Sequence, residues 1–146
     1  MTVKMTDIES QRFVGNVTTH TPGVLKGGQQ AIDRHPKRAE ILVGGADGAA
    51  KLFKMDVQAA PAGGGNPNQL RQYEAMTGRV FDVRFNLDGT QVFVCTSLDG
   101  QGQVRSYETD SGNVLWTLDV PESAVYALAC SPDGATLAAA GEHASA

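Results

Sequence analysis

The sequence predicts an all-β protein assembled from repeated units of four short antiparallel strands. Three observations carry this expectation. The segment "NLDGTQVFV" at 86–94 returns as "SPDGATLAA" at 131–139, with Asp88 and Asp133 standing 45 positions apart. Apolar residues around each copy alternate with polar ones, the period of a strand with one buried face. Turn signals rich in Gly, Asp and Asn recur at close spacing, which suits short strands joined by tight hairpins. Almost no helix and about twelve short strands are expected.

Composition sets the bounds. The 146 residues are 41% hydrophobic and 19% charged, ordinary for a soluble globular protein and the length of one domain. A net charge of −4 gives no electrostatic case for nucleic acid, which calls for a basic patch. No apolar run approaches the ~20 residues that span a bilayer, so no membrane insertion is expected. The opening "MTVKMTDIES" is polar and lacks the apolar centre of a secretory leader. Cys95 and Cys130 are too few and too isolated for a disulfide framework or a zinc site. Both read as small buried thiols on strands.

The unit is clearest around Asp88. Phe81, Val83 and Phe85 alternate with Asp82 and Arg84 as a first strand. Asn86-Leu87-Asp88-Gly89 supplies a hairpin turn, since Gly tolerates positive φ and Asp caps its own turn. Val92 and Val94 lie in a second strand, Asp99-Gly100 marks the next turn, and Val104 and Tyr107 lie in a third. Ser111-Gly112 turns again, and "NVLWTL" makes a fourth. The following copy starts on schedule: Tyr126, Leu128 and Cys130 follow Phe81, Val83 and Phe85 by the same 45 positions. It stops after its second strand.

A weaker copy precedes these. "HPKRAEILVGGADGAAKLFKM" matches "NLDGTQVFVCTSLDGQGQVRSYE", with Asp47-Gly48 in the place of Asp99-Gly100 and Ile32 in that of Val83. Gln30 and Arg34 then fall on slots that are apolar elsewhere. Either the register slips by one or this inner strand carries a polar cluster; the slip is the expectation. The stretch "VQAAPAGGGNPNQ" is too rich in Gly and Pro for helix or central strand, and without G-x-x-x-x-G-K-[ST] or G-x-G-x-x-G it reads as a surface insertion. It leads to a fourth strand near "LRQYEA". At the start, Val3 and Met5 alternate, Thr6-Asp7 closes a third strand, and Phe13 and Val17 fall in a fourth. The expected organisation is an outer half-unit at 1–19, whole units at 28–75 and 79–119, and an inner half-unit at 124–146.

A period of ~40–45 residues with four strands each is the signature of a β-propeller of WD-repeat type, and the chain resembles that family along nearly its whole length. "SPDG", Asp47 and Asp99 in the second turn, and the residues closing the third strand carry the likeness. The Trp-Asp that closes this strand in the family is replaced here by Thr6-Asp7, Phe53-Lys54 and Tyr107-Glu108. The family's Gly-His has only His20 as an echo. The resemblance implies a partial β-propeller, two whole blades plus two half-blades. "FVGNVTTHTPG", "ILVGGADG" and "VRSYETDSGNVLWTL" further resemble WD-repeat domains attached to c-type cytochrome modules in planctomycete-type bacteria. That likeness implies a larger parent protein at the periplasm or cell envelope.

Residues that could carry chemistry have plainer readings. His20, His35 and His143 show no ligand spacing, and His20 reads as a blade-locking hydrogen-bonder. No role is assigned to His35 or Arg34. Ser97, Ser123 and Ser131 lack a G-x-S-x-G elbow. Asp82, Asp88, Asp99 and Asp110 fall on strand or turn positions that the repeat explains. Asp47 and Asp99 read as turn carboxylates accepting backbone N–H bonds. "LKGGQQ" reads as a loop between blades, and Trp116 as packed between strands. No catalytic, cofactor-binding or metal-binding residue is assigned, and no cofactor is expected.

The function implied is a non-catalytic scaffold presenting loop faces to a protein partner. A quinone-cofactor dehydrogenase-like propeller, which "SGNVLWTL" also resembles, and a purely structural spacer are the alternatives. An unshared outer half-unit and inner half-unit suggest either a homodimer completing a six-bladed ring or the blades of a longer parent chain.

Overall fold

The computed structural model describes residues 2–6, 13–18, 28–55 and 68–143. His20 and nearly all of the Gly- and Pro-rich insertion lie outside them. The described residues hold twelve strands and no helix: β1 (Thr2–Thr6), β2 (Phe13–Thr18), β3 (Gln29–Arg34), β4 (Glu40–Gly45), β5 (Ala50–Lys54), β6 (Gln69–Gln72), β7 (Arg79–Phe85), β8 (Gln91–Leu98), β9 (Gln101–Glu108), β10 (Val114–Val120), β11 (Ser123–Cys130) and β12 (Leu137–His143). β3-β4-β5-β6 and β7-β8-β9-β10 are four-stranded sheets, and β11–β12 and β1–β2 are two-stranded. All pairing is antiparallel. The chain is all-β, a partial β-propeller whose blades follow one another along the sequence.

Each first-and-second-strand pair and each third-and-fourth-strand pair carries a β-bulge, and within each kind the bulge sits at the equivalent position in every copy. In the first-and-second-strand pairs the ladder skips Gln30 between Gln29↔Gly45 and Ala31↔Gly44. It skips Phe81 between Val80↔Thr96 and Asp82↔Cys95, and Tyr126 between Val125↔Gly141 and Ala127↔Ala140. In the third-and-fourth-strand pairs the shift falls between Thr6↔Phe13 and Met5↔Gly15. It recurs between Phe53↔Gln69 and Leu52↔Arg71, and between Tyr107↔Val114 and Ser106↔Trp116. A bulge bends its strand and increases local twist, so its repetition gives successive blades the same shape.

The bulges also settle the register of the first copy. Ile32 pairs with Val43 as Val83 pairs with Val94, with no slip. The expected shift is therefore corrected, and β3 does carry polar residues at Gln30, Asp33 and Arg34. Ile32 is 47% exposed where Val83 is fully buried, because β7 meets the β3–β6 sheet on the opposite face from Ile32.

Between those two sheets lies the main core, including Leu42, Leu52, Val80, Val83, Val92 and Val94. A second core joins Phe93, Cys95 and Val104 to Val125 and Leu128 of β11. β8 thus buries Val92 and Val94 on one face and Phe93 and Cys95 on the other, as a strand sandwiched between two layers must. Each full burial of such a side chain stabilises by roughly 1.5–3 kcal/mol. Phe53 and Tyr107 close their third strands with almost no exposure. An aromatic anchor therefore persists there without the Trp-Asp pair.

Two expectations change with burial. Cys95 is buried, and burial pushes its thiol up to about 12. Cys130 is only half-buried, its Sγ 3.6 Å from the Phe85 carbonyl. Trp116 is 39% exposed, its ring tilted 35° to that of Phe93 at 5.9 Å between centroids. β10 is an outer strand, and β11 crosses the inner part of the neighbouring sheet without covering it.

Candidate interaction surface

The turns between first and second strands cluster at one end of the blades, and each is locked by its own side chains. Asn86 Oδ1 accepts the Gln91 N–H at 3.0 Å, and Ser131 Oγ accepts the Thr136 N–H at 2.9 Å. Asp88 Oδ1 accepts the Thr90 N–H and hydroxyl at 2.9 and 2.6 Å, while Asp133 Oδ1 accepts the Ala135 N–H at 3.0 Å. These bonds favour the charged carboxylates. The Thr90 hydroxyl and then its N–H hold Asp88 below the usual range, as the Ser131 hydroxyl and then the Ala135 N–H hold Asp133. Gly89 and Gly134 take φ of 82° and 71°, a region glycine enters without steric penalty.

The first copy reaches the same turn by other means. His35 stands where Asn86 and Ser131 stand, its N–H donating to the Glu40 carbonyl as theirs donate to Gln91 and Thr136. Its Nδ1 accepts the N–H groups of Lys37 and Arg38, both at 3.0 Å. The ring is buried between blades, 4.9 Å from the Phe85 ring. Nothing in "HPKR" announces this locking role; its position within the repeat was the available signal.

Carboxylates tie consecutive inner strands, which fixes the turns relative to one another. Asp33 Oδ2 accepts the Phe85 N–H at 2.8 Å, and Asp82 Oδ2 accepts the Leu128 N–H at 2.8 Å. Their Oδ1 atoms accept the N–H of the following residue, Arg34 and Val83, each at 2.9 Å. Arg84 Nε donates to the Leu128 carbonyl at 3.0 Å and its other end meets Asp82 at 3.2 Å. Asp82 is therefore an inter-blade staple, beyond the strand position assigned to it from the repeat.

The resulting surface holds a cleft of about 230 Å³ whose lining includes Arg34, Pro36, Leu87, Cys130 and Pro132. Leu87 is 61% exposed at its rim. At the opposite end, a cleft of about 430 Å³ lies among Thr77, Leu98, Asp99, Gln103, Asp119 and Pro121. Asp47 there accepts the Ala49 N–H at 3.3 Å and pairs with the buried Lys51. Asp99 differs: its side chain makes no hydrogen bond among the described residues, and it contributes a left-handed backbone of φ 51°. Asp99-Gly100 forms a tight hairpin turn through conformation alone.

The remaining candidates stay apart. Ser123 Oγ lies 2.9 Å from His143 Nδ1, but the two are cross-strand neighbours at an exposed strand end. Ser97 donates to the Gln101 carbonyl at 3.2 Å. Asp110 pairs with Arg38 at 2.7 Å. Among the described residues no three His, Cys, Asp or Glu side chains converge on one point, and no helix is long and apolar enough to cross a membrane.

Residues 112–145, covering β10 to β12, match the family model of the WD domain, G-beta repeat. The match supports a WD-repeat family. A search of curated proteins finds no match.

Proposed function

We propose that the chain is a non-catalytic scaffold that presents its first turn face to a protein partner. The carrying observation is the rigid, partly apolar surface formed by three locked turns, with Leu87, Pro36 and Pro132 exposed at the cleft. Propeller repeats of the matched type generally serve protein–protein interaction. Exposed Arg34, without an ion-pair partner among the described residues, lines the same cleft. The likeness of "FVGNVTTHTPG" and "ILVGGADG" to cytochrome-attached repeat domains supports a place within a larger assembly at the cell envelope.

The test is capture with paired variants. Leu87→Glu with Arg34→Glu should abolish capture of a defined partner while leaving the unfolding midpoint close to wild type. Substitution of the opposite cleft, Gln101→Glu, should leave capture intact. Capture insensitive to the first pair would overturn this reading, and a shift of the midpoint by a quinone or by calcium would favour the enzyme-like alternative.

A further inference from the structure

The polar side chains that line the cleft of the first turn face are nearly all engaged by the protein itself. Asp33 accepts the Arg34 N–H on Oδ1 and the Phe85 N–H on Oδ2. Asn86 accepts the Gln91 N–H on Oδ1 and donates through Nδ2 to the Thr90 hydroxyl at 3.2 Å. Ser131 Oγ accepts the Thr136 N–H and donates to Asp133. Cys130 Sγ lies 3.6 Å from the Phe85 carbonyl. Arg34 is the exception: the residue is exposed, and its guanidinium has no hydrogen bond or ion pair among the described residues. We propose that the cleft takes a segment of a protein partner in which an Asp or Glu carboxylate stands beside an aliphatic side chain. The carboxylate meets Arg34, and the aliphatic group seats against Leu87, Pro36 and Pro132.

The free donor group selects the charged half of this ligand. A guanidinium carries five N–H donors in a planar fork and no acceptor. The fork matches both oxygens of one carboxylate. A phosphate group fits less well, because it brings nearly two negative charges. Arg34 is the single cation among the described lining residues, and the Asp33 carboxylate lines the same cleft. Asp88 and Asp133, whose hydrogen bonds favour their charged forms, stand in the two adjoining turns. These carboxylates repel a dianion more than a single charge.

The remaining lining selects the apolar half. Pro36, Phe85, Leu87 and Pro132 contribute apolar surface, and Leu87 is 61% exposed at the rim. A volume of about 230 Å³ lies below the ~300–1,000 Å³ of pockets that enclose a small molecule. It suits one or two side chains projecting from a partner. The prolines have a fixed φ and the turns are locked by their own bonds, so little order remains to be imposed on binding.

Three successive copies of the repeat supply these groups. Arg34 and Pro36 come from the end of β3 and its turn, Leu87 from the turn after β7, and Pro132 from the turn after β11. The bonds from Asp33 to Phe85 and from Asp82 to Leu128 hold the three inner strands together, which fixes the spacing between the cation and the apolar surface. This assignment rests on the partner-binding reading of the face and supplies the chemistry of the partner.

Amide NMR on the isotope-labelled 146-residue chain, titrated with short blocked peptides, tests this. Acetyl-Gly-Glu-Leu-Gly-amide should shift the signals of Arg34, Leu87 and Cys130 and leave those of Asp99 and Gln103 in the opposite cleft in place. Exchange of Glu for Gln in the peptide, or Arg34→Gln in the protein, should weaken binding about fivefold, the upper range for a partly exposed ion pair. The two changes together should weaken it little further. Arg34→Gln removes no side-chain contact among the described residues, and the peptide change leaves the protein intact, so folding does not confound the comparison. Equal binding of the Glu and Gln peptides overturns the carboxylate assignment and leaves the partner-binding reading of the face standing. Tighter binding of the phosphoserine-Leu peptide overturns it in favour of a phosphorylated partner. Signals that move with protein concentration alone identify a second copy as the occupant and overturn it, as does the absence of any shift at the cleft. The partner-binding reading fails separately, through capture that survives Leu87→Glu with Arg34→Glu.

Discussion

Tyr73 and Tyr107 face each other across the two complete blades, 5.2 Å between ring centroids, and each hydroxyl reaches into the other's chain segment. Tyr73 Oη donates to the Thr109 carbonyl at 2.9 Å, and Tyr107 Oη donates to the Glu74 carbonyl at 2.7 Å. The pair thus bonds reciprocally where one sheet ends its fourth strand and the other ends its third. Charged contacts flank it: Arg105 meets Glu74 at 3.1 Å, and Arg71 donates to the Ser111 carbonyl at 2.7 Å.

Removal of either hydroxyl should therefore loosen the same joint. Tyr73→Phe and Tyr107→Phe should each cost about 1 kcal/mol, the usual net value of one hydrogen bond. Because the rings touch, the double variant should cost other than the sum. Burial also raises both phenols above their ordinary value. A raised phenol contributes stability that is complete below the unfolded value of 10 and lost as pH rises through the folded one. Urea midpoints should fall above pH ~10 in the wild type and less steeply in the double Phe variant.

The inter-blade carboxylates give a graded prediction. Asp82→Ala strands the N–H groups of Val83 and Leu128, both buried, whereas Asp33→Ala strands Phe85 in a half-buried site and Arg34 in an exposed one. An unpaired buried donor costs roughly 1–3 kcal/mol, while an exposed one recovers water. Asp82→Ala should be the more damaging. Native-state hydrogen exchange should show faster exchange at the Leu128 amide in that variant; equal losses from both substitutions would count against the stapling role.

The extent to which sequence revealed these features follows the distance over which each acts. The "NLDG" and "SPDG" turns were readable because Asp88, Thr90 and Gly89 interact within a few residues of one another, so local chemistry suffices. β8 was readable as a strand because its length is apolar on both faces. Asp82 and Asp33 were not readable as staples, since their partners lie 46 and 52 residues along the chain, and alternation alone assigns a polar residue to a solvent face. His35 was missed for the same reason: Phe85 and Gly89, which enclose it, belong to the next blade. The slip inferred for β3 came from expecting apolar residues where Gln30 and Arg34 stand. The structure instead retains the ladder and leaves those residues exposed. Asp99 shows the opposite error, a local bond inferred where the backbone conformation alone makes the turn.

The two turn glycines should respond unequally to substitution. Gly89→Ala and Gly134→Ala both force an L-residue to positive φ, costing about 1 kcal/mol or more. At Gly134 a new Cβ meets nothing nearer than Leu87 Cβ at 3.9 Å, whereas at Gly89 it falls 2.2 Å from Cε1 of the His35 ring. That ring is pinned by two backbone donors and cannot yield freely. Gly89→Ala should therefore lower the urea midpoint distinctly more than Gly134→Ala. Its excess should shrink when His35 is also replaced by Ala, since the collision is then removed.

His35 should make the blade interface sensitive to mild acid. With Nδ1 accepting two N–H bonds, the ring is neutral and its single proton sits on Nε2. A proton added to Nδ1 would face both donors. Burial is the main cause that lowers its value from 6.5, followed by the Arg38 guanidinium; Glu40, the Gly89 backbone and Asp110 oppose the shift. The unfolded chain therefore takes up a proton near pH 6.5 that the folded chain refuses. Stability from this residue is complete above that value, falls as pH decreases toward the lowered folded value, and levels off below it. Comparison of urea midpoints at about pH 7.5 and about pH 5.5, where histidine is the side chain that normally titrates, should show a decrease in the wild type. His35→Gln should be less stable at the higher pH, because glutamine cannot reproduce the ring's packing against Phe85, yet should show a smaller change between the two. An unaltered pH difference in that variant would assign the acid sensitivity to another group and leave His35 a purely steric lock.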